Sequence, residues 1–338
     1  MDWSKGLSAR YKAYIVDPVT WKDGEEIDII SGSISKSESD LRESADIVVS
    51  NYNDNTERWI RVYLDARQQS DSYYGPIFTG LISSPSVDIE GTMRTNTLRC
   101  YSVLKPANDI LLSKGYYIPY GSNIETVLNS LLSVVRGIPI NIIGTPPALS
   151  QTLIAENGET CLSMADKVLY YMGWRMYITG NGTITISDGD VSNMTAVAYF
   201  DSDDMDSLET KLNIENNWFD CPNVFRAVDG NFSATARDED PDSILSIPNR
   251  GREIWFEESG CTPYAGESLE QYAKRRLLEE QHVSMVASYS RRFDPDVNVS
   301  DLILLKYPGQ GLDGTFYISS QSITLGYSPT VSEVAYRI

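Results

Sequence analysis

The sequence predicts a mainly β chain with α+β parts, with strand-built regions at either end and a small α/β region between them. Three observations carry this. Apolar and polar residues alternate with a period of two through residues 1–105. Two helices with legible caps then break the pattern, after Pro106. Finally, a single helix after Glu267 feeds a run of strands in the last part of the chain.

The first region begins with a strand at 11–16, ended by Asp17-Pro18. Ala45, Ile47 and Val49 alternate with Asp46 and Ser50, and Ile60, Val62 and Leu64 alternate with Trp59, Arg61 and Tyr63. Residues 76–83 and 96–104 follow as strands. Strands at this spacing, with Gly, Asn and Asp between them, suggest a barrel or sandwich.

Residues 106–190 form the α/β region. Ser122 and Glu125 read as a capping box, ahead of an apolar helix face of Val127, Leu128, Leu131, Leu132 and Val135, and Gly137 stops the helix. A Pro-rich crossing at 139–147 leads to a second helix over 160–172, with Leu162, Ala165, Val168, Leu169 and Met172 on one side and Gly173 as its stop. Trp174, Met176 and Ile178 then face Ile184 and Ile186 across Gly180-Asn181-Gly182, a strong hairpin signal.

Residues 191–217 read as an acidic bridge, with Asp201, Asp203, Asp204 and Asp206 close together. Residues 223–228 read as the first strand of a second barrel spanning 218–338. That barrel is interrupted at about 229–282 by an acidic, turn-rich segment and a helix. Ser268 and Gln271 form the helix's capping box, and Leu269, Tyr272, Ala273 and Leu277 its apolar stripe. After His282 the period returns to two in Val283, Met285, Ala287 and Tyr289. Asp294-Pro295-Asp296 is a turn, 302–307 an apolar strand, 309–314 a Gly-rich turn and 315–325 a further strand.

Composition excludes several functions. The 338 residues carry 28 Lys and Arg against 47 Asp and Glu, a net charge of −19, which disfavours binding to nucleic acid or to an anionic membrane. The 21 tyrosines favour strands and interfaces. Cys100, Cys161, Cys221 and Cys261 lie far apart and there is one histidine, so neither a zinc site nor a C-x-x-C pair is expected. They read as free thiols from a reducing compartment. The N-terminal residues lack the apolar run of a cleaved signal, and no window is apolar enough for a membrane span, so a soluble chain is expected.

Motif by motif, chemistry gives way to structure. Asp201–Asp206 and Asp238–Asp242 offer carboxylates for calcium, but the first lacks the Gly and distal Glu of an EF-hand loop, and both read as solvated turns. His282 has no G-x-S-x-G nucleophile elbow with it. Gly309-Gln310-Gly311 lacks the strand–helix context of a phosphate loop. No catalytic, cofactor-binding or metal-binding residue is assigned, and no enzyme is expected.

The order of these elements resembles a known family. The run from Val299 to Pro308 (V-S-D-L-I-L-L-K-Y-P), a Gly-rich turn and the run from Gly314 to Leu325 (G-T-F-Y-I-S-S-Q-S-I-T-L) resemble the C-terminal barrel of phage baseplate hub or tail-tip hub proteins. F-T-G-L-I at 78–82 and T-L-R-C-Y-S at 97–102 resemble the family's first tube-like domain. The Gly-Trp strand with its tight turn and G-T-I-T-I resembles the small middle domain. The resemblance implies two tail-tube-like β-barrel domains, a small α/β middle domain and an inserted helix-containing segment. It implies a homotrimer forming a pseudo-sixfold ring in the tail baseplate of a virion, assembled in the host cytoplasm. The tail tube or a distal tail protein would sit above the ring and a spike or tip protein below. DNA would pass the lumen without specific binding, and part of the negative charge would line that lumen. The competing reading is a tail protein that binds or hydrolyses cell-wall glycan, with Trp21, Trp59, Trp218 or Trp255 stacking on sugars.

Overall fold

A computed structural model describes the chain apart from residues 40, 51, 53–55, 70, 84, 91–92, 135–136, 150, 192–193, 204–207 and 283–284, and the side chains of 90, 93, 94 and 210. The first region holds β1 (Ser8–Val16), β2 (Asp23–Ser37), β3 (Glu43–Ser50), β4 (Trp59–Gln68), β5 (Asp71–Ile82), β6 (Ser86–Glu90) and β7 (Met93–Ser102). All pairings among these strands are antiparallel. In the order β1-β4-β5-β7-β3-β2 they return to β1, which closes a barrel. Ile47, Val62, Leu64, Phe78 and Leu98 are fully buried inside it, so the alternation seen in the sequence becomes an inside and an outside.

The middle region contains α1 (Lys105–Asp109), β8 (Tyr117–Ile118), α2 (Ile124–Leu132), β9 (Ile140–Ile142), β10 (Leu153–Ile154), α3 (Cys161–Met172), β11 (Trp174–Ile178) and β12 (Ile184–Asp188). Leu128 and Leu132 of α2 and Met164, Ala165 and Val168 of α3 share one core with Ile184 and Ile186. The cap of α3 is Thr160, whose side chain accepts from Ser163 N, and Gly173 ends it in the left-handed conformation at φ 66°. The cap of α2 differs from expectation. Asn123, not Ser122, accepts from Thr126 N, while Ser122 Oγ donates to the Pro119 carbonyl. Asn is as good an N-cap as Ser and sits one residue nearer the helix. Val135 lies outside the described residues.

The last region holds β13 (Ala198–Asp201), β14 (Leu208–Asn216), β15 (Val224–Asp229), β16 (Phe232–Arg237), α4 (Ile247–Arg250), β17 (Trp255–Ser259), α5 (Leu269–His282), β18 (Met285–Arg292), β19 (Leu302–Tyr307), β20 (Leu312–Leu325) and β21 (Thr330–Arg337). Here the structure corrects the reading of 223–228. That strand, β15, pairs only with β16 and β17 in a separate sheet, against which α5 packs Tyr272, Ala273 and Leu277. The strand that leads into β18 is β14, from the stretch read as a bridge. Its sequence LETKLNIEN is too polar to announce a strand. The α5 cap is as read: Ser268 Oγ accepts from Gln271 N, and Gln271 reaches back to Ser268 N. Val283 lies outside the described residues, but Ala287 and Tyr289 point inward.

One barrel topology occurs twice. In chain order β13, β14, β18, β19, β20 and β21 correspond to β1, β2, β3, β4, β5 with β6, and β7. β14 pairs β18 as β2 pairs β3, β18 pairs β21 as β3 pairs β7, and β19 pairs β20 as β4 pairs β5. The segment 217–284 falls where the first barrel has only the short 38–42 turn. Two differences remain: β13 runs parallel to β19 whereas β1 is antiparallel to β4, and among the described residues no pairing closes β13 onto β14.

β2 joins the two barrels. Its first half, from Asp23 to Asp28, pairs with β1, and its second half, from Gly32 to Ser37, pairs antiparallel with β20 from Leu325 to Ser320. The changeover falls near Gly32, where a Cβ would lie 2.6 Å from the Asp46 carbonyl oxygen. Inside the second barrel Arg291 and Glu333 form a fully buried fork-to-fork pair, at 2.9 Å (Nε to Oε2) and 2.7 Å (to Oε1). Gln321 donates to the same carboxylate from β20, so the pair ties β18, β21 and β20 together.

Removing one partner of a buried ion pair leaves the other uncompensated and costs about 3–5 kcal/mol, whereas an exposed pair is worth about 0–1 kcal/mol. Glu333→Ala should therefore lower the unfolding free energy by about 3–5 kcal/mol in a denaturant titration. Glu257→Ala, which breaks the exposed pair with Arg226, should change it by less than about 1 kcal/mol. Equal costs would contradict this account of the buried pair.

Candidate assembly surface

Because β2 bonds to β20, strands β6-β7-β3-β2-β20-β21-β18-β14 form one continuous antiparallel sheet of eight strands across both barrels. Its buried side chains belong to the two barrel cores. Its other face is built of small hydroxyls. Ser44, Ser35, Ser322, Ser332 and Ser290 stand side by side on five neighbouring strands, β3, β2, β20, β21 and β18. Ser290 and Ser332 are hydrogen-bonded at 2.9 Å. Flanking rows add Ser37, Ser320 and Ser288 on one side and Ser33, Thr324 and Thr330 on the other. The face is concave between β2 and β14, enclosing about 780 Å³ over Ser35, Ser322, Ser332, Ser290 and Lys211. Its one described cross-strand ion pair, Arg99 with Asp46 at 3.3 Å, cancels its own charge.

No motif announced this face. Its signal in the sequence is serine at every second position, as in S-G-S-I-S-K-S at 31–37 and S-Y-S at 288–290. Period two puts all of those serines on one side.

Behind the sheet, the 38–42 turn is gripped from two directions. The Arg42 guanidinium donates to the Met176 carbonyl at 3.0 Å and to Asp166 at 2.6 Å, both in the middle region. Glu38 accepts from Ser300 at 3.1 Å and from the Tyr317 hydroxyl, both in the second barrel. Between them Lys36 reaches Glu43 at 3.4 Å and Asn298 at 3.2 Å. Glu43 is buried, and its Oε2 has no hydrogen-bond partner. Burial pushes its pKa up to about 7, against the pull of Lys36. Burial likewise raises Glu38 and Asp301 nearby.

The middle region also docks on the first barrel through its β11–β12 turn. Thr79 Oγ1 donates to the Gly180 carbonyl at 2.8 Å, and Trp21 Nε1 and Arg61 both donate to the Asn181 carbonyl at 3.2 Å. A Cβ on Gly180 would stand 2.1 Å from the Pro76 carbonyl oxygen, so glycine is required by the approach of the two backbones.

The residues weighed from sequence fall elsewhere. Asp201 accepts from Tyr199 and pairs with Lys306 at 3.4 Å. Asp203 donates its N–H to Asp201, while Asp204 and Asp206 lie outside the described residues. Asp238 is buried and accepts from Ser243 and Gln281, which makes it a turn anchor. No group of three potential metal ligands exists among the described residues. His282 ends α5, and burial lowers its pKa. Among the described residues no serine or cysteine side chain is hydrogen-bonded to it. The four cysteines are free thiols, with Cys100, Cys161 and Cys221 buried. Trp59 is buried and Trp21 packs edge-on to it at 5.3 Å. Trp218 and Trp255 are exposed, but Trp218 sits against Phe219, and Arg226 stacks over Trp255 at 4.8 Å.

Two barrels of one topology share a sheet and are flanked by a small α/β region, and solved phage tail proteins share this fold. The chain matches the 43 kDa tail protein of prophage MuSo2 from Shewanella oneidensis with a TM-score of 0.70 and 13% identity, over 98% of this chain and 97% of that one. It matches the tail protein from Neisseria meningitidis MC58 with a TM-score of 0.71 and 13% identity, over 98% and 96%. A chain of the Francisella PdpA–VgrG complex matches with a TM-score of 0.60 and 7% identity, over 98% of this chain and 53% of that one. At these identities the likeness is one of fold. No protein-family model matches the sequence, and no curated protein matches it.

The carboxyls around Lys36 predict a pH dependence. A carboxyl whose folded pKa lies above its unfolded value stabilises the fold while protonated. Its contribution is complete below the unfolded value of 4.5 and is lost as pH rises through about 7. Stability should therefore fall between pH 5 and pH 8, with Glu43 accounting for a loss on the order of 3 kcal/mol. Glu43→Gln should flatten that slope in denaturant titrations at the two pH values. An unchanged slope would remove Glu43 from the account.

Proposed function

We propose that the chain is a structural tail component of a phage or a phage-derived contractile injection system: the baseplate hub, a virion protein that joins the tail tube to the tip. The observation that carries this reading is the doubling of one barrel topology along a single continuous sheet. Three copies would present six barrels, which reconciles a sixfold tube above with a threefold spike or tip protein below. The fold shared with two phage tail proteins supports the same reading. Residues 1–105 would be one barrel position, 106–190 the spacer behind it, and β13, β14 and β18–β21 the second position.

The hydroxyl face is our candidate for the channel wall. Its serine and threonine rows carry no charge, so along them DNA would meet neither a basic patch to hold it nor an acidic one that repels it. The net charge of −19 then falls mainly on other surfaces. No reaction is needed for this role, and the reading is non-enzymatic.

The test is the solution mass of the purified chain together with negative-stain images. A trimer with a central opening is expected. A monomer lacking any ring, with turnover of peptidoglycan, would replace the hub with the glycan-acting reading.

A further inference from the structure

Lys36 is the one lysine buried among the described residues, at 9% exposure. Lysine is almost never buried unless it is well paired. Its partner is Glu43, directly opposite on β3, yet the two meet only at 3.4 Å and Glu43 Oε2 has no hydrogen-bond partner. The buried Arg291–Glu333 pair closes at 2.7 Å with both carboxylate oxygens engaged, so the Lys36 pair is poor as a stabilising device. A third group completes the cluster. Lys36 Nζ donates to Asn298 Oδ1 at 3.2 Å, from the first barrel to the loop that precedes β19 in the second. An amine, an unsatisfied carboxyl and a carboxamide held together away from water are the parts of an amide-forming reaction. We propose that Lys36 and Asn298 join spontaneously in an isopeptide bond, with Glu43 as general base and acid, so that the two barrels of one chain become covalently tied.

The reaction balances without a co-reactant. A proton passes from the Lys36 ammonium to Glu43, which leaves a neutral amine and a neutral acid where burial penalises two charges. Burial already pushes the Glu43 pKa up to about 7, so this carboxyl takes the proton readily. The Nζ lone pair then attacks Asn298 Cγ, the carbon bonded to the oxygen it already reaches, and forms the new C–N bond. Glu43 delivers its proton to Nδ2 and takes one from Nζ. The bond from Cγ to Nδ2 breaks, ammonia leaves, and Glu43 remains as the neutral acid beside a secondary amide.

The surroundings suit that course. Lys36, Glu43 and Asn298 line one cavity of about 20 Å³, walled by Met176, Ile178 and Val299, with room for about one water. Asn298 is held and turned for attack. Its backbone N–H donates to Asp301 at 2.8 Å, and its Nδ2, the leaving group, points away from Lys36 to the Pro295 carbonyl at 3.4 Å. A neighbouring cavity of about 200 Å³, also bordered by Lys36 and Asn298, gives the released ammonia space. The bond links positions 262 apart in the chain, and closing a loop of that length restricts the unfolded state.

Intact mass spectrometry of the denatured wild-type chain, followed by tryptic mapping, tests this. The chain should be lighter than its sequence by one ammonia, with no cleavage after Lys36 and the Lys36 and Asn298 peptides recovered as one branched species. Lys36→Met and Glu43→Gln should restore the full mass, and Asn298→Asp should still cross-link, with loss of one water in place of ammonia. A wild-type chain of full mass that is cleaved after Lys36 would overturn the proposal, whether or not the variants fold. So would a loss of ammonia that survives Lys36→Met, because it would arise elsewhere. Loss of ammonia that persists in Glu43→Gln alone would overturn the role of Glu43. None of these results bears on the hub reading, which rests on the doubled barrel.

Discussion

The architecture depends on β2 serving two barrels at once. A strand has two edges, and β3 occupies one of them from Ile29 to Lys36 of β2. The other edge is divided, with β1 taking the first half and β20 the second. This division lets the first barrel close and also pass its sheet on without a break. It requires β2 to be long, and at 15 residues it is the longest strand among the described residues. It also requires the backbones of β2 and β3 to come close at the changeover, which is where Gly32 stands.

Polar groups fix this joint against the middle region. Hydrophobic packing alone leaves a barrel free to rotate on its neighbour, because burial is non-directional. Arg42 reaches Asp166 and Met176 of the middle region, Glu38 and Lys36 reach Ser300, Tyr317 and Asn298 of the second barrel, and Glu43 pairs with Lys36. Buried charges of this kind contribute little net stability, because desolvation offsets their attraction. Their effect is on geometry. A ring component has to hold a fixed angle between its two barrel positions, and a network of this type holds one arrangement more narrowly than an apolar contact does.

Local chemistry was legible in the sequence wherever it was short-range. The Thr160–Gly173 helix, the Gly180–Gly182 turn and the Ser268–Gln271 box stand as read, whereas the half-buried strand read at 59–64 is buried on both sides at Trp59–Val62 because the middle region covers its outer face. Three features were hidden, each for a physical reason. β2 went unread because Asp23-Gly24-Glu25-Glu26 and its serines look like a loop, and its strand character comes from partners on both edges rather than from its own propensity. β14 was taken for an acidic bridge because its LETKLNIEN sequence is mostly polar and its strand character comes from pairing with β18, so β15 was mistaken for the opening strand of the second barrel. The internal repeat was masked because the long 217–284 segment sits in one copy where the other has a short turn, which leaves no fixed period. The hydroxyl face was missed because alternating serine marks a surface that avoids interaction, and motif reading looks for residues that bind.

The account rests on the bond between β2 and β20, and amide hydrogen exchange measures it directly. In Gly32–Ser37 and Ser320–Leu325 the alternate amides that point across the joint should exchange as slowly as those that point to β3 and β21, because each lies inside a continuous sheet. Fast exchange of the joint-facing amides alone, with those facing β3 and β21 still protected, would mean two barrels that merely touch, and the shared sheet would have to be abandoned.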